Sequence, residues 1–98
     1  MATISRPALM ALLGGVKKVS NLTRNSRAVA NQFDVTFDNG YAFQSYESLI
    51  AVQYNGRLYL TNKHDYSKTT CKYTTWWTGY TTEERRKGLE DGSIVLID

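Results

Sequence analysis

Two Asn-Gly pairs set in β-rich sequence constrain this chain more than any other feature, because they mark where the backbone must reverse. Asn39-Gly40 and Asn55-Gly56 each separate runs of apolar, β-branched and aromatic residues. Asn and Gly both reach positive φ at small cost, so the pair suits the type I′ turn of a two-residue hairpin. Ahead of the first pair, Phe33, Val35 and Phe37 alternate with Asp34 and Thr36, the period-two signature of a strand. Tyr41, Phe43 and Ser45 form the returning strand. Residues 49–54 (LIAVQY) and 57–61 (RLYLT) form a second hairpin around Asn55-Gly56. The expectation is a four-stranded antiparallel meander.

After the meander the period changes. Ser67 is an N-cap candidate, and Thr70, Tyr73 and Trp77 recur at helical spacing, as do Thr69, Lys72 and Trp76. Threonine and aromatic residues are mediocre helix formers, so tertiary packing must help to hold this helix. Gly79 ends it. Thr81 and Glu84 have the spacing of a capping box and open a short charged helix through Glu90, stopped by Asp91-Gly92. Residues 93–97 (SIVLI) read as a last strand joining the sheet.

The beginning of the chain reads differently. Ser5-Arg6-Pro7 is a helix start, continued by residues 8–13 and ended by Gly14-Gly15. The apolar stretch over 7–16 faintly resembles a signal peptide but runs into Lys17-Lys18 without a convincing cleavage site. It is too short to span a bilayer, and is expected to be a helix of the domain or one that docks on a partner. Residues 20–31 (SNLTRNSRAVAN) are polar and poor in large hydrophobes, the composition of a linker. Net charge is +3, but residues 1–31 hold Arg6, Lys17, Lys18, Arg24 and Arg27 and no acid, whereas residues 32–98 hold seven Lys or Arg against nine Asp or Glu. The basic balance therefore belongs to the N-terminal part, where a solvated basic tail is the ordinary alternative to a binding element.

Together these readings give one α+β domain: an antiparallel β-meander of about four to five strands, one or two helices packed against it, and a basic N-terminal helical arm. The arm is assigned to residues 1–31 and the single α+β domain to 32–98. The length of 98 residues suits one domain. The single cysteine, Cys71, cannot close an intramolecular disulfide, which favours the cytoplasm, and no membrane association is expected.

The usual signatures of catalysis are missing. His64, the only histidine, reads as a lone surface residue in a loop, and Cys71 as a small buried thiol. One Cys and one His cannot make a zinc site. Gly14-Gly15 lacks the Lys-Ser/Thr of a phosphate-binding loop. Glu83-Glu84 and Glu90-Asp91 are explained by solvation and capping. The chain is expected to be no enzyme and to use no cofactor or metal.

What stands out is a basic and aromatic region. Tyr59, Tyr66, Tyr73, Trp76, Trp77 and Tyr80 lie among Lys63, Lys68 and Lys72. Such interleaving can track phosphates and stack on bases, or form a protein hot spot. In a domain this small, more than half of these aromatics are expected inside. Trp76 and Trp77 are about 100° apart on a helix, so one of them should lie at a boundary or on the surface. The candidate partner-binding residues are Lys17, Lys18, Arg24, Arg27, Lys68, Lys72, Trp76 and Trp77.

Two short motifs carry a resemblance over residues 33–77. Ser45-Tyr46-Glu47-Ser48-Leu49-Ile50-Ala51 fits S-Y-x-S/T-x-I/V-A, and Tyr66-Ser67-Lys68-Thr69-Thr70-Cys71-Lys72-Tyr73 fits Y-S-x-T-T-x-K-H apart from its last position. In these motifs the chain resembles a family of small uncharacterised domains of bacteriophages and other mobile elements. Tyr73 stands where a His is usual, so a role needing an imidazole there is not carried over. Ser48 stands where Thr is usual. The resemblance implies an accessory protein that binds and inhibits a host protein or nucleoprotein complex without catalysis, such as an anti-CRISPR or another anti-defence protein. The residues themselves leave a second class open, a nucleic-acid-binding module using the basic arm and the aromatic face.

Overall fold

A computed structural model describes all residues, Met1–Asp98. The chain runs β1 (Thr3–Ile4), α1 (Arg6–Leu13), β2 (Val16–Arg24), β3 (Arg27–Phe37), β4 (Gly40–Ser45), β5 (Ser48–Tyr54), β6 (Arg57–Leu60), α2 (Lys68–Thr78), α3 (Thr82–Asp91) and β7 (Val95–Ile97). All seven strands form one sheet in the order β1-β7-β6-β5-β4-β3-β2. From β2 to β6 every neighbouring pair is antiparallel, but β7 lies parallel to both β6 and β1.

This corrects the expected architecture on three counts. The sheet has seven strands and is mixed, three helices pack on it, and no basic helical arm exists. The meander is present as β3 to β6. What local signals could not give is the parallel return of β7, because a parallel pair needs a crossover, here supplied by α2 and α3. The linker expected over 20–31 is also overturned: it falls within β2 and β3, which meet at a turn where Asn25 and Ser26 both have positive φ, +53° and +64°. Ser is an unusual occupant of that conformation, so no turn signal marked it. The strands carry no alternation there because eight of the nine β2 residues are exposed.

Strand alternation divides the core between the two faces of the sheet. On one face Leu9 and Leu13 of α1 pack with Val35, Ala42, Val52, Tyr59, Val95 and Ile97. On the other, Phe43, Ile50, Leu58, Leu60, Leu89 and Ile94 form a second cluster, with Tyr73 and Trp77 of α2 against it. Burial on both faces is why residues 93–97 read as a continuous apolar run.

The two Asn-Gly pairs play different parts. Asn55-Gly56 has positive φ at both positions, +53° and +74°, as a type I′ turn requires. At Asn39-Gly40 neither residue does. That turn is bound instead to the end of α1: Asn39 donates from its backbone N to the Leu13 carbonyl at 3.0 Å and from Nδ2 to the Leu12 carbonyl at 3.1 Å. Gly40 is required for space, since a Cβ there would lie 2.5 Å from the Gln53 carbonyl oxygen and 2.6 Å from Leu13 Cδ2.

Candidate binding groove

Helix α2 sorts its residues by the period expected from the sequence. Its N-cap Ser67 accepts from the Thr70 backbone N at 3.1 Å, and Gly79 closes it in the left-handed region. Thr70 and Thr74 are buried, and Ser45 Oγ lies 3.1 Å from Thr70 Oγ1, tying helix to sheet. Thr74 and Thr78 bond back to the carbonyls of Thr70 and Thr74 at 2.6 and 2.7 Å, which removes the cost of their hydroxyls inside a helix. Trp77 is held inward: its ring stacks on Phe43 with centroids 6.1 Å apart, and its Nε1 donates to Asp34 at 3.2 Å. With Trp77 fixed, the roughly 100° step per residue turns Trp76 outward, and it is 59% exposed.

The outward side of α2 faces the tip of the β2–β3 ribbon, and the two enclose a groove of about 490 Å³. Thr23, Arg24 and Asn25 line it from the ribbon, and Lys72, Tyr73, Thr75 and Trp76 from the helix. No carboxylate lines it. Lys72 Nζ lies 5.5 Å from the centroid of the Tyr73 ring, so an aromatic face helps to position the ammonium. Arg24 and Arg27 sit directly opposite one another across the ribbon. Like charges in that relation destabilise a sheet, and neither arginine has an ion-pair partner. Asn21 Nδ2 donates to the Val29 carbonyl at 2.9 Å and holds the ribbon together just behind the tip.

The structure thus brings Arg24, Lys72 and Trp76 together, with Arg27 at the same tip. It separates the other candidates. Lys68 lines a shallower depression with Asp65, Ser67 and Cys71, which shares Lys72 and Thr75 with the groove. Lys17 lies 3.9 Å from Asp38 near the far end of β2, roughly 23 Å of strand from Arg24 at about 3.3 Å per residue. Lys18 is beside it, and Trp77 is a packing residue. Tyr73, Thr23 and Asn25 were not among the sequence candidates. The signal for Tyr73 was its position beside Lys72, whereas nothing local ties residues 23–25 to α2. Of the six aromatics between Tyr59 and Tyr80, Tyr66, Trp76 and Tyr80 are exposed, so the expectation that more than half lie inside fails.

A second concentration of charge lies at the corner between α2 and α3, and it corrects two readings. His64 is buried, not a surface residue, and Cys71 is only half-buried. Between them lies Arg85, with no solvent exposure. Its Nε donates to His64 Nδ1 at 3.0 Å. One terminal nitrogen donates to Thr75 Oγ1 at 2.9 Å and the Tyr80 carbonyl at 2.6 Å. The other reaches Thr82 Oγ1 at 3.2 Å, the His64 carbonyl at 3.4 Å and Cys71 Sγ at 3.5 Å. Every acceptor is neutral. Two of them, the Thr75 hydroxyl and the Tyr80 carbonyl, flank the C-terminal end of α2. Burial pushes the His64 imidazole below its ordinary value of 6.5; Asp65 opposes this, and Arg85 and Arg86 add to it. Asp65 is in turn held below the usual carboxylate range by its 2.7 Å bond from Arg86. Arg85, Gly88 and Leu89 form the buried i, i+3, i+4 stripe of α3, but only Leu89 of the three carries a large apolar side chain, so no amphipathic signal in the sequence marked this corner.

Thr81 and Glu84 make the expected capping box at the start of α3, with Thr81 N donating to Glu84 Oε1 at 2.9 Å and Glu84 N to Thr81 Oγ1 at 3.2 Å. Those bonds hold the Glu84 carboxyl below its usual range, and the Ser93 backbone does the same for Asp91. No group of three or more His, Cys, Asp or Glu side chains is placed to hold a metal ion. No helix is long and apolar enough to cross a membrane.

No curated protein and no solved structure matches the chain. A family model does, over residues 12–92, which takes in the ribbon, the groove and the Arg85 corner. The chain belongs to that family, DUF8033, a family of unknown function.

Proposed function

We propose that the chain is a non-catalytic binding module whose groove receives single-stranded nucleic acid. One observation carries this: Arg24, Lys72, Tyr73 and Trp76 line a single groove that contains no carboxylate. Trp76 offers an exposed face on which a base stacks, and Arg24 and Lys72 line the same groove and supply cations for the phosphates of a strand. The opposed Arg24 and Arg27 support the reading, because an anion between them would relieve their repulsion. The test is fluorescence anisotropy of a labelled twelve-nucleotide oligothymidylate at several salt concentrations. With about three phosphate contacts, log affinity should fall against log salt with a slope of about −2. A flat response, or no binding at low salt, overturns the proposal.

The exposed aromatics favour a second reading. Tyr66, Trp76 and Tyr80 are exposed in and around α2, and aromatics of this kind form hot spots of protein interfaces. On that reading the chain is a cytoplasmic inhibitor seated on a host protein or nucleoprotein complex, as its resemblance to domains of phages and mobile elements implies. A tagged pull-down with and without nuclease separates the two. A single complex retained after nuclease supports the inhibitor, and loss of all partners supports the nucleic-acid module.

A further inference from the structure

The two ends of the sheet are unlike. At one end β1 has only two residues, and the chain on either side of it is bonded to the β7 segment, Leu96 N to the Ala2 carbonyl at 2.9 Å and Arg6 N to the Asp98 carbonyl at 3.3 Å. At the other end β2 runs nine residues with no strand beyond it. A free edge presents a row of unpaired backbone N–H and C=O groups. Register irregularities lie between Val16 and Lys18 and between Asn21 and Thr23. The four residues from Lys18 to Asn21 between them pair regularly with Thr36, Val35, Asp34 and Phe33.

Register tells which way this regular stretch points. Ser20 is opposite Asp34, which bonds Trp77, so Lys18 and Ser20 lie on the α2 face. Val19 is opposite Val35, part of the α1 core, so it lies on the other face, where it is 58% exposed. A strand added here would meet a cation on one face and an apolar residue on the other. Residues 16–31 hold Lys17, Lys18, Arg24 and Arg27 and no acid, so a second copy of the chain would align four cations against four.

We propose that the β2 edge takes up an acidic extended segment of a partner protein, which joins the sheet as an eighth strand. The segment alternates carboxylate and apolar residues. Its carboxylates face Lys18, and an apolar side chain covers Val19. Main-chain hydrogen bonds provide the attachment, and side-chain alternation provides the selectivity. The site is separate from the groove and does not depend on what the groove binds.

The test uses the full chain and three fluorescein-labelled eight-residue peptides: alternating Glu and Val, the same peptide N-methylated at alternate backbone nitrogens, and alternating Lys and Val. The expected result is binding of the Glu-Val peptide, at least tenfold weaker binding of both others, and slowed amide exchange at residues 18–21. Lys18→Glu should reverse the preference between the Glu and Lys peptides, and Trp76→Ala should leave peptide binding unchanged. Equal binding of the N-methylated peptide overturns strand addition, leaving charge attraction alone. Failure of the Glu-Val peptide to bind, or its displacement by oligothymidylate from the Trp76 groove, also overturns the proposal. So does a dimer in sedimentation that is abolished by Lys18→Glu. Loss of oligothymidylate binding with peptide binding intact sinks the groove reading only.

Discussion

The α2–α3 corner and the tip of the β2–β3 ribbon both concentrate positive charge, and they treat it in opposite ways. At the corner, Arg85 is wholly buried and spends every donor group on neutral acceptors from α2, α3 and the loop carrying His64. At the tip, Arg24 faces Arg27 in solvent, with no acid beside either. A charge whose donors are satisfied within the fold is part of what holds the fold together. A charge left opposed to its like is a cost to stability that a ligand can relieve. The same contrast separates the adjacent tryptophans: Trp77 is bonded to Asp34 and stacked on Phe43, and Trp76 is open.

The sharpest way to break this comparison is to remove each arginine. Arg85→Ala should destabilise the protein by about 3–5 kcal/mol, because it leaves a cavity and several buried acceptors without donors. Urea denaturation measures it, and a loss under about 1 kcal/mol would show that the corner does not hold the helices. Arg24→Ala should change stability by no more than about 0.5 kcal/mol while weakening oligonucleotide binding. The tryptophans give the next effect. Trp77→Ala should cost about 2–3 kcal/mol, less than at a fully buried site because the ring is only half-buried. Trp76→Ala should leave the melting temperature within a degree or two and weaken oligonucleotide binding by about 1–3 kcal/mol. If both tryptophans affect stability equally, the division between packing and binding faces is wrong.

A smaller effect should appear with pH. Burial depresses His64, and Arg85 occupies its Nδ1, so the folded form resists protonation. As pH falls through 6.5 the unfolded chain takes up a proton that the folded chain does not, and stability falls until the lowered folded value is reached. The slope is at most about 1.4 kcal/mol per pH unit. Melting temperatures at pH 7.5 and 5.5 measure it, and His64→Gln should flatten the difference. Asp65 acts in a separate, more acidic window, because Arg86 lowers it from 3.8. Its contribution is present above that value and is lost as pH falls through the lower folded one. An unchanged melting temperature between pH 7.5 and 5.5 would mean that His64 exchanges its proton without disturbing Arg85.

The sequence by itself determined the features that depend on residues a few positions apart. Ser5, Ser67 and Thr81 cap the three helices, and Gly79 closes α2. Asn55-Gly56 makes its turn, the four strands of the meander form, and the spacing of Lys72 and Trp76 against Tyr73 and Trp77 sets the two sides of α2. Half of the groove was legible in that spacing. The other half was not, because over residues 20–31 only Leu22 is buried, and a strand with a single buried residue has no alternation to show. Asn39-Gly40 looked like a free hairpin and became the seat of α1, a choice explained by the bonds of Asn39 to Leu12 and Leu13 and by the close approach of Gln53 and Leu13 to Gly40. Tertiary structure alone decided the parallel return of β7, the burial of Arg85 beside His64, and the meeting of Arg24 with Trp76. Each joins segments far apart in the chain, and the geometry that makes a cation a structural member at one place and an open site at another exists only once those segments pack.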